Sequence, residues 1–355
     1  MARRSTPPQS QHPVPQAEPV GKPSRFWLFA PFVVLLIAAA LWSGYWLWLK
    51  GQMVRQLDTA SDQFRTAGYE LAWRERRVGG YPFRLDVTLS DARLADPSGW
   101  VLEIPKFEAE AFAFSPDHWV MAAPAGLTFF RPVGGGVTVI GKTLRASLNN
   151  LKSTPPSFSL EGSDLIFTPS PGAKPFALAR AQHLEFHLRP GPDDQGAMLF
   201  KILGGQAAPD GFLGRVAENK PMSIIWDSLF TKAGKFRGQT WVAAARAWSE
   251  QGGTLIVRQA GLTAGSASLG AQSGTLGADT EGLLTGSLKM TARGAPEVLN
   301  ALAEEGLISP LAAMSANAVA IANLAPGHTA NLTVTFQAGR ITLGPVALGP
   351  APRVY

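Results

Sequence analysis

Phe83–Ser90 reads FRLDVTLS, and its Phe83, Leu85, Val87 and Leu89 alternate with Arg84, Asp86, Thr88 and Ser90. Successive side chains of a strand point to opposite faces, so the octet predicts a strand with one apolar and one wet face. A helix would scatter the same apolar residues around its circumference. On this pattern Phe83 is expected in the core, where truncating it to Ala would cost about 3–5 kcal/mol.

The same period continues downstream. Asp96-Pro97-Ser98-Gly99 is a turn, after which Trp100, Leu102 and Ile104 alternate, and then Phe107, Ala109 and Ala111. Further strands are expected at 127–130, 137–140, 144–148, 158–160, 165–168, 183–189 and 198–202, with Pro and Gly at almost every junction. Short helices are expected at 241–248 and 296–305, and a third from Ser309-Pro310 to about Ala322. Residues 254–293 are rich in Gly. Leu262, Leu269, Leu276 and Leu283 recur there at seven, but the intervening Gly residues would each cost a helix about 1 kcal/mol, so strands are expected instead. Alternation returns at Leu332, Val334 and Phe336, then at Ile341 and Leu343. Such a series predicts a mainly β fold with a few helices, built as an elongated, curved antiparallel body.

Upstream the period is helical. Met53, Leu57, Ala60, Phe64 and Ala67 mark one helix face, and Gly68 is a stop signal. Before it, Phe26–Leu49 (FWLFAPFVVLLIAAALWSGYWLWL) holds 24 residues without an ionisable side chain other than Tyr45. As a helix it is about 36 Å long, enough for a hydrocarbon core of about 30 Å. Trp27 lies near one end and Trp42, Tyr45, Trp46 and Trp48 near the other, between Arg25 and Lys50. The run is longer than the apolar core of a cleaved signal peptide, and its only small-residue site, Ala38-Ala39-Ala40, is internal. An uncleaved transmembrane anchor is therefore expected. Arg3, Arg4, Lys22 and Arg25 outweigh Glu18, which places residues 1–25 in the cytoplasm and the body beyond a bacterial inner membrane, in the periplasm. The expected order is a disordered tail (1–25), a transmembrane helix (26–49), its helical continuation (50–68), and two β-rich halves (69–215 and 216–355, the second with short helices).

Charge and composition restrict function. Of 32 basic and 26 acidic residues, five and one lie in residues 1–50, leaving a net +2 beyond them. The basic pI thus reflects the tail and anchor flanks, and no nucleic-acid partner is expected. No Cys is present, which removes disulfides and thiolate metal sites. Gly136–Thr143, GVTVIGKT, satisfies the phosphate-loop pattern, but that loop needs a helix after it, and Leu144–Leu148 alternates as a strand. No nucleotide is expected. His183 and His187 are spaced as zinc-peptidase ligands, yet on a strand they stand about 13 Å apart, too far to share an ion. His12, His118 and His328 have no triad context. No catalytic, cofactor-binding or metal residues are expected, and the chain reads as a non-enzyme.

Gly79-Gly80-Tyr81-Pro82-Phe83-Arg84, following a membrane anchor, resembles the opening signature of domain-of-unknown-function family 2125, bacterial envelope proteins found chiefly in alphaproteobacteria. Gly261-Leu262-Thr263, Gly294-Ala295-Pro296 and the close Gly339-Arg340-Ile341-Thr342-Leu343-Gly344-Pro345, with Ala351-Pro352-Arg353, agree with it. The resemblance covers about residues 27–353 and brings no catalytic residues. It marks Gly80, Tyr81, Pro82, Phe83, Arg84, Gly339, Gly344 and Pro345 as a structural signature. The plan is more distantly similar to AsmA-type proteins, a resemblance that implies lipid traffic or envelope homeostasis, although this chain is too short to bridge two membranes alone. Two functions follow as expectations: lipid held in an apolar groove of the sheet, or a non-enzymatic assembly module for another envelope protein.

Overall fold

The computed structural model describes residues 26–355 except 210, 239, 327 and 328, with side chains from residue 29. The expectations for residues 1–25 and for His12 and His328, and the Trp27 side chain, lie outside the described residues. Strands hold 49% of the chain against 25% for helices, so a sheet carries the fold.

The first helix, α1 (Phe26–Thr66), is long and apolar enough to cross a membrane. Backbone contacts separate the residues up to Leu47 from a second unit, Trp48–Tyr355. Within that unit α1 ends as its sequence predicts. Gly68 takes φ +85°, its N–H donates to the Arg65 carbonyl, and the Tyr69 N–H donates to that of Phe64. This paired closure satisfies two terminal carbonyls, and the Phe64 and Tyr69 rings meet edge to face at 5.6 Å beside it. Met53 and Leu57, from the predicted apolar face, pack against Val87, Leu89 and Ala92.

The sheet begins with β1 (Glu70–Ala72), β2 (Glu75–Gly79), β3 (Arg84–Ala95) and β4 (Val101–Phe112); β1 and β2 both pair with β3. It continues through β5 (Ser115–Ala122), β6 (Leu127–Arg131), β7 (Gly135–Ile140), β8 (Thr143–Asn149) and β9 (Ser157–Pro169). Here the ladder divides. One stretch of β4 pairs with β5 and another with β6, while β9 receives β8 on one stretch and β7 on the other. From β9 a meander runs through β10 (Leu178–Pro190), β11 (Gly196–Ala207), β12 (Met222–Phe230), β13 (Leu255–Ala264), β14 (Ala267–Ala278) and β15 (Leu284–Arg293). It then passes to β17 (Thr329–Gln337), β18 (Arg340–Leu343) and β19 (Val346–Pro350), with β16 (Leu324–Ala325) beside β17. Every pairing among the described residues is antiparallel. β11 and β12 flank residue 215 and pair directly, so one ladder runs through that point.

Four helices interrupt the body: α2 (Phe212–Ala217), α3 (Trp241–Glu250), α4 (Ala295–Glu304) and α5 (Pro310–Ala322). Ser309 caps α5, its hydroxyl accepting from the Ala312 N–H at 3.1 Å. Ser309→Ala should lower stability by about 0.5–2 kcal/mol, measured by chemical denaturation, and Ser309→Asp should restore most of it.

Three expectations are corrected. Phe83 is 62% exposed and precedes β3, so its ring is not in the core; the buried row starts at Leu85. The two segments expected at 100–104 and 107–111 form the single strand β4. Their apolar phase shifts because Pro105 has no N–H to donate and lies across the ladder from Asp91, whose φ is +51°. Strands at 158–160 and 165–168 likewise form one strand, β9, whose phase changes around Asp164 at φ +50°. The seven-residue leucine recurrence is a hairpin effect, since Leu262 and Leu269 are partners across β13 and β14.

Register places one apolar face across the whole ladder. Leu160, Phe186, Phe200, Trp226, Ala260 and Ala271 stand in one row from β9 to β14. Toward one end of the strands α2 and α4 cover this face: Val216, Ala217, Val298 and Ala301 pack with Leu165, Ile202 and Met222. Leu85, Leu165 and Met222 are each under 2% exposed or close to it, so the core lies under these elements.

Candidate functional site

Toward the other end the apolar face is not filled. A cavity of about 480 Å³ lies over β10–β15. Its floor includes Phe186, Leu188, Met198, Leu255, Leu276 and Leu284, most of them half-buried. The opposing wall is Ala233, Phe236, Trp241 and Trp248, supplied by the connection from β12 and by α3.

Each wall residue is positioned by local chemistry. Thr240 caps α3, its hydroxyl accepting from the Ala243 N–H at 3.2 Å. Ala244, Ala245 and Trp248 form the buried face of α3, as their spacing predicts. The Trp248 indole donates to the Thr231 carbonyl at 2.7 Å and lies so close over Gly253 that a Cβ there would overlap the ring. The Trp241 indole donates to the Val354 carbonyl at 3.0 Å. Residues 351–355 cross the margin of the cavity: the Leu284 N–H donates to the Pro352 carbonyl, and the Val354 N–H to that of Gly282. Pro155 and Pro156 close the rim beside Thr154.

The lining contains no ionisable side chain and a single hydroxyl, on Thr154. Both indole N–H groups are already donated. The cavity therefore offers dispersion contacts and water exclusion to a ligand, and no hydrogen bond that would select a polar one. At about 480 Å³ it falls within the roughly 300–1,000 Å³ of pockets that enclose one small molecule.

The opposite face is wet and charged. Arg145 is the register partner of Glu161, Glu161 of Glu185, and Glu185 of Lys201. Arg145 reaches Glu161 at 2.7 Å, and its hydrogen bond and charge hold the Glu161 carboxyl below its ordinary value. His183 and His187 flank Glu185 on this face, at 3.1 and 3.6 Å from its two oxygens, and His187 also bonds Ser159 at 2.9 Å. They are strand-face residues around a carboxylate. Among the described residues no group of three His, Asp or Glu is arranged to hold a metal. Gly136–Thr143 ends one strand, β7, and begins another, β8, so no helix N-terminus follows it to receive phosphate.

The signature residues lie elsewhere. Gly80 has φ +97°, and a Cβ there would overlap the Arg84 backbone; the Arg84 N–H donates to the Gly80 carbonyl at 2.8 Å. Tyr81-Pro82 is a cis pair, Phe83 accepts from the Ala113 N–H, and Arg84 reaches Glu110 at 3.0 Å. This is a tight connection from β2 into β3. Gly339 (φ +70°) and Gly344 (φ +56°), followed by Pro345, make the turns on either side of β18. None of the eight lines the cavity.

Sequence reading missed most of the wall. Strand β12 escaped because Ile224-Ile225-Trp226 breaks strict alternation. The available signal was Phe236, Trp241 and Trp248 within one short stretch, more aromatic area than one small helix needs.

No curated protein and no solved structure matches the chain. Residues 46–352, which take in every strand of the sheet, match the family described as "Uncharacterized protein conserved in bacteria (DUF2125)", and the chain belongs to that family.

Proposed function

We propose that this is a membrane-anchored envelope protein that shelters the acyl chain of a lipid on the apolar face of its sheet. In this reading α1 is a single-pass anchor in the inner membrane, residues 1–25 are cytoplasmic, and the β body is periplasmic. The protein acts by binding, with no chemistry of its own, in envelope lipid handling as the AsmA-like plan suggests. The observation that carries the proposal is the half-buried cavity between α3 and β10–β15, lined without an ionisable group. Apolar strand faces usually pack a core, as this one does beneath α2 and α4. Over β10–β15 an open volume remains, at roughly 25 cal/mol for each Å² of apolar surface that a ligand would cover.

Native mass spectrometry of the full chain in mild detergent tests the reading. Wild type should retain an acyl-chain amphiphile. Leu188→Trp, which projects a larger ring into the volume, should lower its occupancy while leaving the thermal melt in place. Empty wild-type protein, or undiminished occupancy in the variant, would sink the proposal.

A partner-binding role draws on a separate observation. Leu311, Met314 and Ile321 are 74%, 71% and 60% exposed along one face of α5, an apolar stripe that nothing in the chain covers among the described residues. The chain has no Cys, so Met314→Cys would give a site-specific cross-link. Capture of one defined envelope protein would support that role, and no specific product would count against it.

A further inference from the structure

We infer that the cavity takes a single-chain amphiphile with an anionic head, and that Lys235 and Arg237 receive the head. The inference rests on the acyl-chain reading of the same cavity and adds the ligand's charge. The wall between Ser228 and Ser249 contains Lys232, Lys235, Arg237 and Arg246 and no Asp or Glu. Phe236 lines the cavity, and Lys235 and Arg237 flank it directly, both exposed. A side chain placed between two cations in this way brings an apolar contact and a basic rim to the same point.

The four cations are not equivalent. Lys232 donates to the Gln251 carbonyl, and Arg246 lies 5.6 Å over the Tyr355 ring, beside Val354 of the lining. Lys235 and Arg237 stand in no ion pair among the described residues. Acidic groups near the wall are occupied. Asp194 accepts from the Gly234 N–H at 2.6 Å, and Asp279 accepts from the N–H groups of Glu281 and Leu283. Glu250, at the end of α3, is the remaining carboxylate close to the segment. The rim therefore keeps a positive excess beside an uncharged cavity. Elsewhere on the sheet most exposed charges are cancelled by a neighbour, as in the Arg145, Glu161, Glu185 and Lys201 ladder. The uncancelled pair sits at the one place where the apolar face is open. A carboxylate or phosphate on an acyl chain matches both features; an uncharged chain matches one.

The test uses the full chain in nanodiscs of zwitterionic lipid, with a photoreactive diazirine analogue of palmitic acid and its chain-matched alcohol as probes. The carboxylate should label peptides from residues 230–248 at concentrations about tenfold lower than the alcohol, the effect of one or two charge-assisted hydrogen bonds. In the Lys235→Gln, Arg237→Gln double variant that preference should fall to near parity through loss of carboxylate labelling, with alcohol labelling unchanged. Competition by unlabelled palmitate against palmitoyl lysophosphatidate then tells a carboxylate from a phosphate head, and displacement by either supports the inference. Equal labelling by both probes in wild type, or a preference that survives the double substitution, overturns the anionic head while leaving the acyl-chain cavity standing. Failure of both probes to label the segment overturns the two together.

Discussion

Trp248→Ala is expected to lower the stability of the β body by about 3–5 kcal/mol, the range for removing a large buried ring. Trp248 is 8% exposed and is held from several directions. Its indole donates to the Thr231 carbonyl, Gly253 is small enough to let the ring lie flat against the chain, and Phe236 meets it at 6.3 Å. Truncation removes the ring's buried area and leaves the Thr231 carbonyl without its indole donor. Trp248→Phe separates the two effects, since it keeps most of the area and should cost about 1–3 kcal/mol. Denaturant titration of the full chain reads both. Because Trp248 is also cavity wall, the Ala variant should lose bound amphiphile even where it remains folded. A variant as stable as wild type would mean that α3 is not fixed to the sheet through this ring.

Gly286→Ala is expected to cost about 2–5 kcal/mol, for a reason that lies in the backbone. Gly286 has φ +121° within β15, a conformation that L side chains resist by roughly 1–2 kcal/mol. A Cβ there would also overlap the Thr275 carbonyl oxygen and press on Leu276, adding an overpacking cost of about 1–3 kcal/mol. Leu276 is cavity floor and the register partner of Gly286, so the strain falls on the site. Gly349→Ala is the control: its φ is ordinary and nothing lies within 4 Å of the added Cβ, so stability should stay within about 0.5 kcal/mol. Equal effects at the two positions would refute the argument.

Local patterns were read well from the residues alone. Alternation at 85–89, 137–140 and 184–188 named the apolar face of β3, β7 and β10, and Gly68 and Ser309 named two helix boundaries. Each of these depends on neighbours within a few positions, where side-chain direction and capping are decided. The same habit misled at Phe83, which keeps the apolar phase of the strand but precedes its first paired residue. It also divided β4 and β9, because a phase shift looks like two strands until the partner strand is seen to change with it.

The cavity lay beyond that reach. Its lining comes from residues 154–156, 186–198, 230–284 and 354, and no pattern within a dozen positions connects them. The amino-acid order by itself determined a helix long enough for a membrane, a chain of two-faced antiparallel strands, and an absence of thiol chemistry. Tertiary structure decided which part of the shared apolar face became core and which stayed open. The physical reason is that alternation says only that a face must leave water; what covers it depends on the helices that the strand order brings over it. Here α2 and α4 pack against one end, whereas α3 stands off the other on Phe236, Trp241 and Trp248.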